Sequence, residues 1–290
     1  MQRSDPRPDS QPGAESSADS NTASTPHWDS IGPPPLGLFA LEQGRAALEL
    51  LRLASRRSVA ERAARGDGHP VLVIPGLFAG DLSTRPLRRC LRELCYDAHG
   101  WGLGVNTGPK ASVRVRLVAR LAALRRRHGR RVSLVGWSLG GIYARELARS
   151  HAQDVRCVIT LGTPFRDISA THAVRLVPIR PGGRSLHEAH ELRAFLRRPL
   201  PVPSTSIYSR TDGIVHWQSC LEEDGPQRES VEVACSHTGM GFNPEVIAVI
   251  ADRLAQPEGA WQPWLRTSSG ASEPRRSGSD AEQANVAPPS

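Results

Sequence analysis

The run Arg131-Val132-Ser133-Leu134-Val135-Gly136-Trp137-Ser138-Leu139-Gly140-Gly141-Ile142 decides how the chain is read. Val132 to Val135 is a short, β-branched, apolar run of strand character, and Ile142 to Ala148 carries apolar residues at helical spacing. Between them Gly136-Trp137-Ser138-Leu139-Gly140 forms a G-x-S-x-G in strand–turn–helix context. Presenting a serine hydroxyl at the tip of a sheet requires a strained turn within one residue. Small residues two positions to either side then let strand and helix approach closely. The helix that starts after Ser138 also aims N–H groups and a positive dipole end at the place where an oxyanion would form.

Working outward, strand-like runs alternate with helical ones. Val71–Ile74 is apolar on both faces and fits an interior strand of a parallel sheet. Further strands are expected at 96–104, 155–161, 205–208 and 231–234. Helices are expected at 85–94, 112–128 and 244–254, with Ser83 or Thr84 capping the first and Asn243 the last. The order predicts a mostly parallel sheet with helices on both faces. Residues 166–200, broken by Pro178 to Gly183, are long for one connection and read as a helical cap inserted over the site. Leu36 to Ala64 is helix-rich, with Leu38, Leu41, Leu48 and Leu51 at near-helical spacing and Gly44 a point of interruption. It is read as packing on the domain, with a membrane-surface anchor as the alternative.

Ligands bind such sheets beyond the carboxyl ends of the strands. Ser138, Asp212 and His237 each sit at or just past an expected strand end, in the chain order serine, acid, histidine. A serine hydroxyl needs a base beside it, and imidazole needs a carboxylate to fix its tautomer and stabilise its cation. Glu222 and Asp224 are rivals for the acid, and His172, His187, His190 and His216 for the base; the cap histidines are expected to face solvent. Backbone N–H groups of Leu77, in the loop Pro75 to Asp81, and of Leu139 are the expected oxyanion donors. Phe78, Trp101 and Trp137 are expected to line an apolar acyl pocket.

Composition narrows the classes. The chain has 290 residues and a formal charge of +8, almost all from arginine. The arginines are spread among acidic residues along several helices and lack the clustered, aromatic-interleaved pattern of a nucleic-acid binder. Solvated helix faces are the reading, with weak attraction to an anionic membrane surface as the alternative. The five cysteines show no CxxC spacing; Cys157 is expected to be a buried thiol and Cys220 with Cys235 a candidate pair. No His/Cys/Asp grouping shows metal-ligand spacing, so neither metal nor cofactor is expected. Neither an export signal nor a membrane span is visible, which predicts a cytoplasmic protein. The expected organisation is a disordered tail at 1–35, a helical segment at 36–66, an α/β domain at 67–256 with its cap at 166–200, and a tail at 257–290, disordered beyond about 265.

Gly136 to Gly141, Ser209-Arg210-Thr211-Asp212-Gly213 and Ser236-His237-Thr238-Gly239 together resemble bacterial lipase- and esterase-like proteins of the α/β-hydrolase fold, over about residues 68 to 256. The resemblance implies a carboxylic-ester hydrolase with a Ser-Asp-His triad and no cofactor. Many such lipases have His-Gly after the first of these strands, where this chain has Pro75-Gly76. Acting on an ester with an apolar acyl group is therefore the expected activity. The alternatives are an acyltransferase on the same residues, or a catalytically silent scaffold that serves as a binding module. Acyl length, alcohol part and oligomeric state are left open by the sequence.

Overall fold

The computed structural model describes residues 31–54, 63–172, 191 and 194–264. Residues 1–30 of the expected N-terminal tail, the expected C-terminal disordered tail, most of the cap, and His187 and His190 lie outside the described residues. Residues 31–35, expected to belong to the disordered tail, instead lead into the first helix with Ile31 and Pro34 buried. Six strands, β1 (Pro70–Ile74), β2 (Asp97–Gly100), β3 (Val132–Trp137), β4 (Val155–Leu161), β5 (Ser204–Tyr208) and β6 (Arg228–Glu232), form one sheet in the order β2-β1-β3-β4-β5-β6. All five pairings are parallel. The helices are α1 (Leu36–Ala54), α2 (Arg85–Glu93), α3 (Ala111–His128), α4 (Leu139–Ser150) and α5 (Pro244–Ala255).

The apolar runs of the sequence become β1, β3 and β4, and these and the more polar β5 are buried on both faces. Strand alternation then divides the core. Val71 and Val73 of β1 meet Leu87 and Leu91 of α2 and Val246 and Ile250 of α5 on one face. Leu72 and Ile74 meet Leu117, Leu121 and Leu124 of α3 and Tyr143 and Leu147 of α4 on the other. Each such leucine contributes about 1.5–3 kcal/mol by leaving water, so these two layers set the orientation of the strands.

Departures from the expected elements have local causes. β2 ends at Gly100 because Gly102 and Gly104 adopt left-handed φ values of 72° and 79°. The Asp81 carboxylate also takes the N–H groups of Trp101 and Gly102, both at 3.0 Å, out of the ladder. β6 lies three residues earlier than its apolar run suggests. It is an edge, where pairing of Ser204 with Arg228 rather than burial fixes the register. Thr84 stands at the N-cap of α2 without capping it, whereas the Asn243 side chain caps α5 by accepting from Glu245 and Val246. Residues 166–172 include a single antiparallel bridge, Thr171 with Val215, and 194–197 are helical.

α1 is continuous through Gly44 and packs on the domain, but by the opposite face from the one its leucines suggest. Leu36, Leu41, Leu48, Leu50 and Leu51 are exposed, while Glu42, Ala46, Glu49 and Leu53 are buried. Among the described residues no helix is long and apolar enough to cross a membrane.

Candidate active site

Strand order reverses between β1 and β3: the chain moves outward to β2, then returns past β1. The crevice at that switch point is where open α/β sheets bind ligands, and the loops after β1 and β3 both open into it. Ser138 follows β3 with φ 52° and ψ −120°, a backbone region that non-glycine residues rarely occupy. Its N–H donates to Leu161 O at 2.8 Å and its carbonyl accepts from Gly141 N at 2.9 Å. The flanking glycines permit this turn by close approach. A Cβ on Gly136 would stand 2.4 Å from Gly141 Cα, and one on Gly140 would stand 2.2 Å from Ile74 O. The serine is half-buried, and among the described residues its Oγ has no hydrogen-bond partner.

Asp212 follows β5 and is almost wholly buried. Its Oδ1 accepts the N–H groups of Ile214 and Val215 at 2.8 and 2.7 Å, leaving Oδ2 to meet His237 Nδ1 at 2.7 Å. The imidazole is buried as well. Burial disfavours its cation, but the charge and hydrogen bond of Asp212, helped by the charge of Glu42, outweigh that and raise the pKa above the ordinary 6.5. His237 is also tied to the sharp strand-to-helix turn, or elbow, that carries Ser138. Its carbonyl accepts the Trp137 indole N–H at 3.1 Å. A Cβ on Gly162, next to the Leu161 that holds Ser138, would lie 2.8 Å from His237 Nδ1. The sheet thus gathers Ser138, Asp212 and His237 at one rim.

The loop after β1 reaches the same rim. A Cβ on Gly76 would be 3.3 Å from Ser138 Cβ, and among the described residues the N–H groups of Leu77 and Leu139 have no hydrogen-bond partner. Phe78, with φ 58° and its N–H on Asn106 O at 2.7 Å, is 59 % exposed beside them, where an apolar group could rest on it. The other two expected pocket residues do not line a pocket. Trp101 is 0 % exposed, packed under β1 and β3 with its indole N–H on Gly104 O at 2.9 Å. Trp137 is buried on the opposite face and supports His237 from below. The two rings thus belong to the cores on opposite faces of the sheet.

Three of the rival residues have other surroundings. Glu222 is buried in a pair with Arg145, itself 0 % exposed and stacked on Phe165 with its guanidinium 3.7 Å from the ring centroid. Asp224 lies in an exposed loop. His172 is buried rather than solvent-facing, with Nε2 3.0 Å from Pro34 O. Cys220 and Cys235 are buried free thiols and Cys157 is half-buried.

Sequence reasoning missed the contribution of α1. Glu42 Oε1 accepts the N–H groups of Gly213 at 2.6 Å and His237 at 3.0 Å, and Oε2 accepts that of Thr238 at 3.2 Å. One turn away Arg45 donates to the Thr211 hydroxyl at 2.7 Å. Glu49 accepts from the Ser236 N–H at 2.9 Å and the Ser236 hydroxyl at 2.6 Å. One helix therefore clasps the acid loop and the histidine loop together. Bonds to a charged acceptor are worth about 1.5–3 kcal/mol each, which explains why α1 docks by carboxylates with its leucines outward. The signal available was the seven-residue spacing of Glu42 and Glu49 along one stripe with Ala46 and Leu53.

The family model for alpha/beta hydrolases matches residues 71–279. The chain belongs to the alpha/beta hydrolase family. Among solved structures this alpha/beta hydrolase is similar to the mature lipase BlEst2 of Bacillus licheniformis, at 16 % identity and a TM-score of 0.49, covering 67 % of this chain and 96 % of that one. It is similar to lipase B of Aspergillus fumigatus at 18 % identity and TM-score 0.46, covering 70 % and 55 %. A pyrethroid hydrolase from Sphingobium faniae aligns at 19 % identity and TM-score 0.47, covering 65 % and 98 %. A comparison with curated proteins finds no match.

Proposed function

We propose that this alpha/beta hydrolase is a serine esterase acting on a carboxylic ester with an apolar acyl group. The observation that carries the reading is the buried Asp212–His237 contact of 2.7 Å at the rim that also holds Ser138 in its strained turn. In this reading His237 Nε2 takes the proton of Ser138 Oγ as the oxygen attacks the acyl carbon. The tetrahedral oxyanion is held by the N–H groups of Leu77 and Leu139, and Asp212 stabilises the imidazolium. Collapse of that intermediate returns the proton to the leaving alcohol and leaves an acyl-serine. Water, deprotonated by His237, then releases the acid and restores the enzyme. Serine and imidazole need not be hydrogen-bonded before substrate arrives, because catalytic contacts often tighten only in the complex.

Hydrolysis of a series of p-nitrophenyl esters of rising acyl length, by wild type and by Ser138→Ala, tests the reading. Turnover by wild type that Ser138→Ala abolishes supports it, and equal rates for both proteins overturn it. An acyltransferase shares these residues, so an added alcohol in the same assay partitions the acyl group between ester and free acid.

A further inference from the structure

At the end of the sheet remote from Ser138, three side chains from two elements converge. Asp97 and His99 alternate with the buried Ala98 and Gly100 along edge strand β2, so both point to the side where α3 lies. His128 is the last residue of α3, which caps in a left-handed Gly129. Asp97 presents one carboxylate oxygen to each imidazole: Oδ1 lies 3.2 Å from His99 Nε2, and Oδ2 lies 3.4 Å from His128 Nε2. The two rings are 5.4 Å apart, centroid to centroid.

These contacts are not hydrogen bonds. Both Nε2 atoms are buried, and among the described residues neither has a hydrogen-bond partner of acceptable geometry. A buried imidazole nitrogen without a well-made hydrogen bond is costly, and an electron-pair acceptor shared by the two rings would relieve both. The spacing says what. Ligand atoms about 2.0–2.1 Å from a tetrahedral metal lie about 3.3–3.4 Å from one another. Asp97 offers a different oxygen to each ring, at 3.2 and 3.4 Å, and one ligand atom from each of the three residues falls within 4.8 Å of the others, so a small inward adjustment brings the set to that spacing. The neighbouring Arg120 donates from Nη2 to Gly100 O at 3.2 Å, while among the described residues its buried Nε has no hydrogen-bond partner.

We propose that Asp97, His99 and His128 form a binding site for a divalent transition-metal cation of the zinc type, fastening edge strand β2 to the end of α3. Two imidazoles and a carboxylate suit zinc or cobalt rather than calcium or magnesium, which prefer all-oxygen sets. The carboxylate contributes one negative charge and the carboxyl end of α3 a partial one. A water completes the fourth position. The role is structural, because the cluster sits at the start of β2 whereas Ser138 follows the end of β3. The site departs from the expectation of no metal, since β2–α3 packing brings together residues that are distant in sequence.

The test uses full-length protein stripped of metal by a chelator, with Cys95→Ser throughout so that this exposed thiol cannot bind. Cobalt(II) is titrated and followed by its visible absorption, then displaced by zinc. The expected result is one cobalt per chain with a tetrahedral band, and a melting temperature raised by zinc. The double variant His99→Gln/His128→Gln, folded by circular dichroism, should lose zinc affinity by more than the ~10–100-fold that outer-shell changes cost. No binding by the parent protein, or equal binding by the double variant, overturns the proposal. Ester hydrolysis, with or without zinc, is not its readout.

Discussion

Glu42 accepts the backbone N–H of His237 at 3.0 Å while also holding Gly213, the neighbour of Asp212, at 2.6 Å. A carboxylate on a helix outside the sheet therefore lies against both loops that carry the proposed acid and base. The titratable groups facing the imidazole are Asp212 and this Glu42, with Arg45 one turn and Glu49 two turns further along the same helix. Because Asp212 and Glu42 raise the pKa of His237 against the pull of burial, the neutral base is half-formed only above pH 6.5. The acid limb of kcat/KM is expected there. Glu42→Gln removes a charge that favours the cation, so the limb should move to lower pH, as measured by pH–rate profiles of both proteins. A limb that stays put would mean that Glu42 has no electrostatic hold on the base.

Asp212→Asn should fold normally, since an amide oxygen can still accept from Ile214 and Val215. It presents the wrong partner to His237 Nδ1, so kcat should fall by about 10⁴. Steady-state kinetics on a short-chain ester checks this, and near-normal turnover would move the acid elsewhere.

Gly140→Ala places a methyl 2.2 Å from Ile74 O, a backbone atom of a central strand that cannot yield cheaply. Overpacking of this kind costs about 1–3 kcal/mol or more, and the expected outcome is a lower denaturation midpoint with loss of activity. An unchanged midpoint would show that strand and helix need not approach so closely.

Glu222→Gln separates structural from chemical roles. Leaving Arg145 buried without its counter-charge should cost about 3–5 kcal/mol, read by urea denaturation. Below the transition, kcat should equal that of wild type. A selective fall in kcat with unchanged stability would reinstate Glu222 as the acid.

Much of this architecture was legible because burial on both faces writes mostly apolar runs: Val71–Ile74 and Val155–Leu161, the latter interrupted by Arg156 and Thr160, became β1 and β4 with little change in their bounds. The elbow was legible because close approach restricts Gly136 and Gly140 to residues without a side chain. What was hidden depends on contacts distant in sequence. Glu42 and Glu49 look like solvent-face residues until the N–H groups of residues 213 and 236–238 arrive to meet them. Arg145 reads as one more surface arginine until Glu222 and Phe165 enclose it. Trp101 sits among glycines at a strand end, a context that fits a pocket wall and a buried ring equally well; packing chose the latter.

Intact-mass measurement after reaction with a fluorophosphonate tests the central claim most directly, because only an activated serine at an oxyanion site is phosphonylated rapidly. The account predicts one adduct per wild-type chain, mapped to Ser138, and none on Ser138→Ala or on wild type pre-acylated by a slow ester. Failure of the folded wild type to label, or equal labelling of Ser138→Ala, would contradict it.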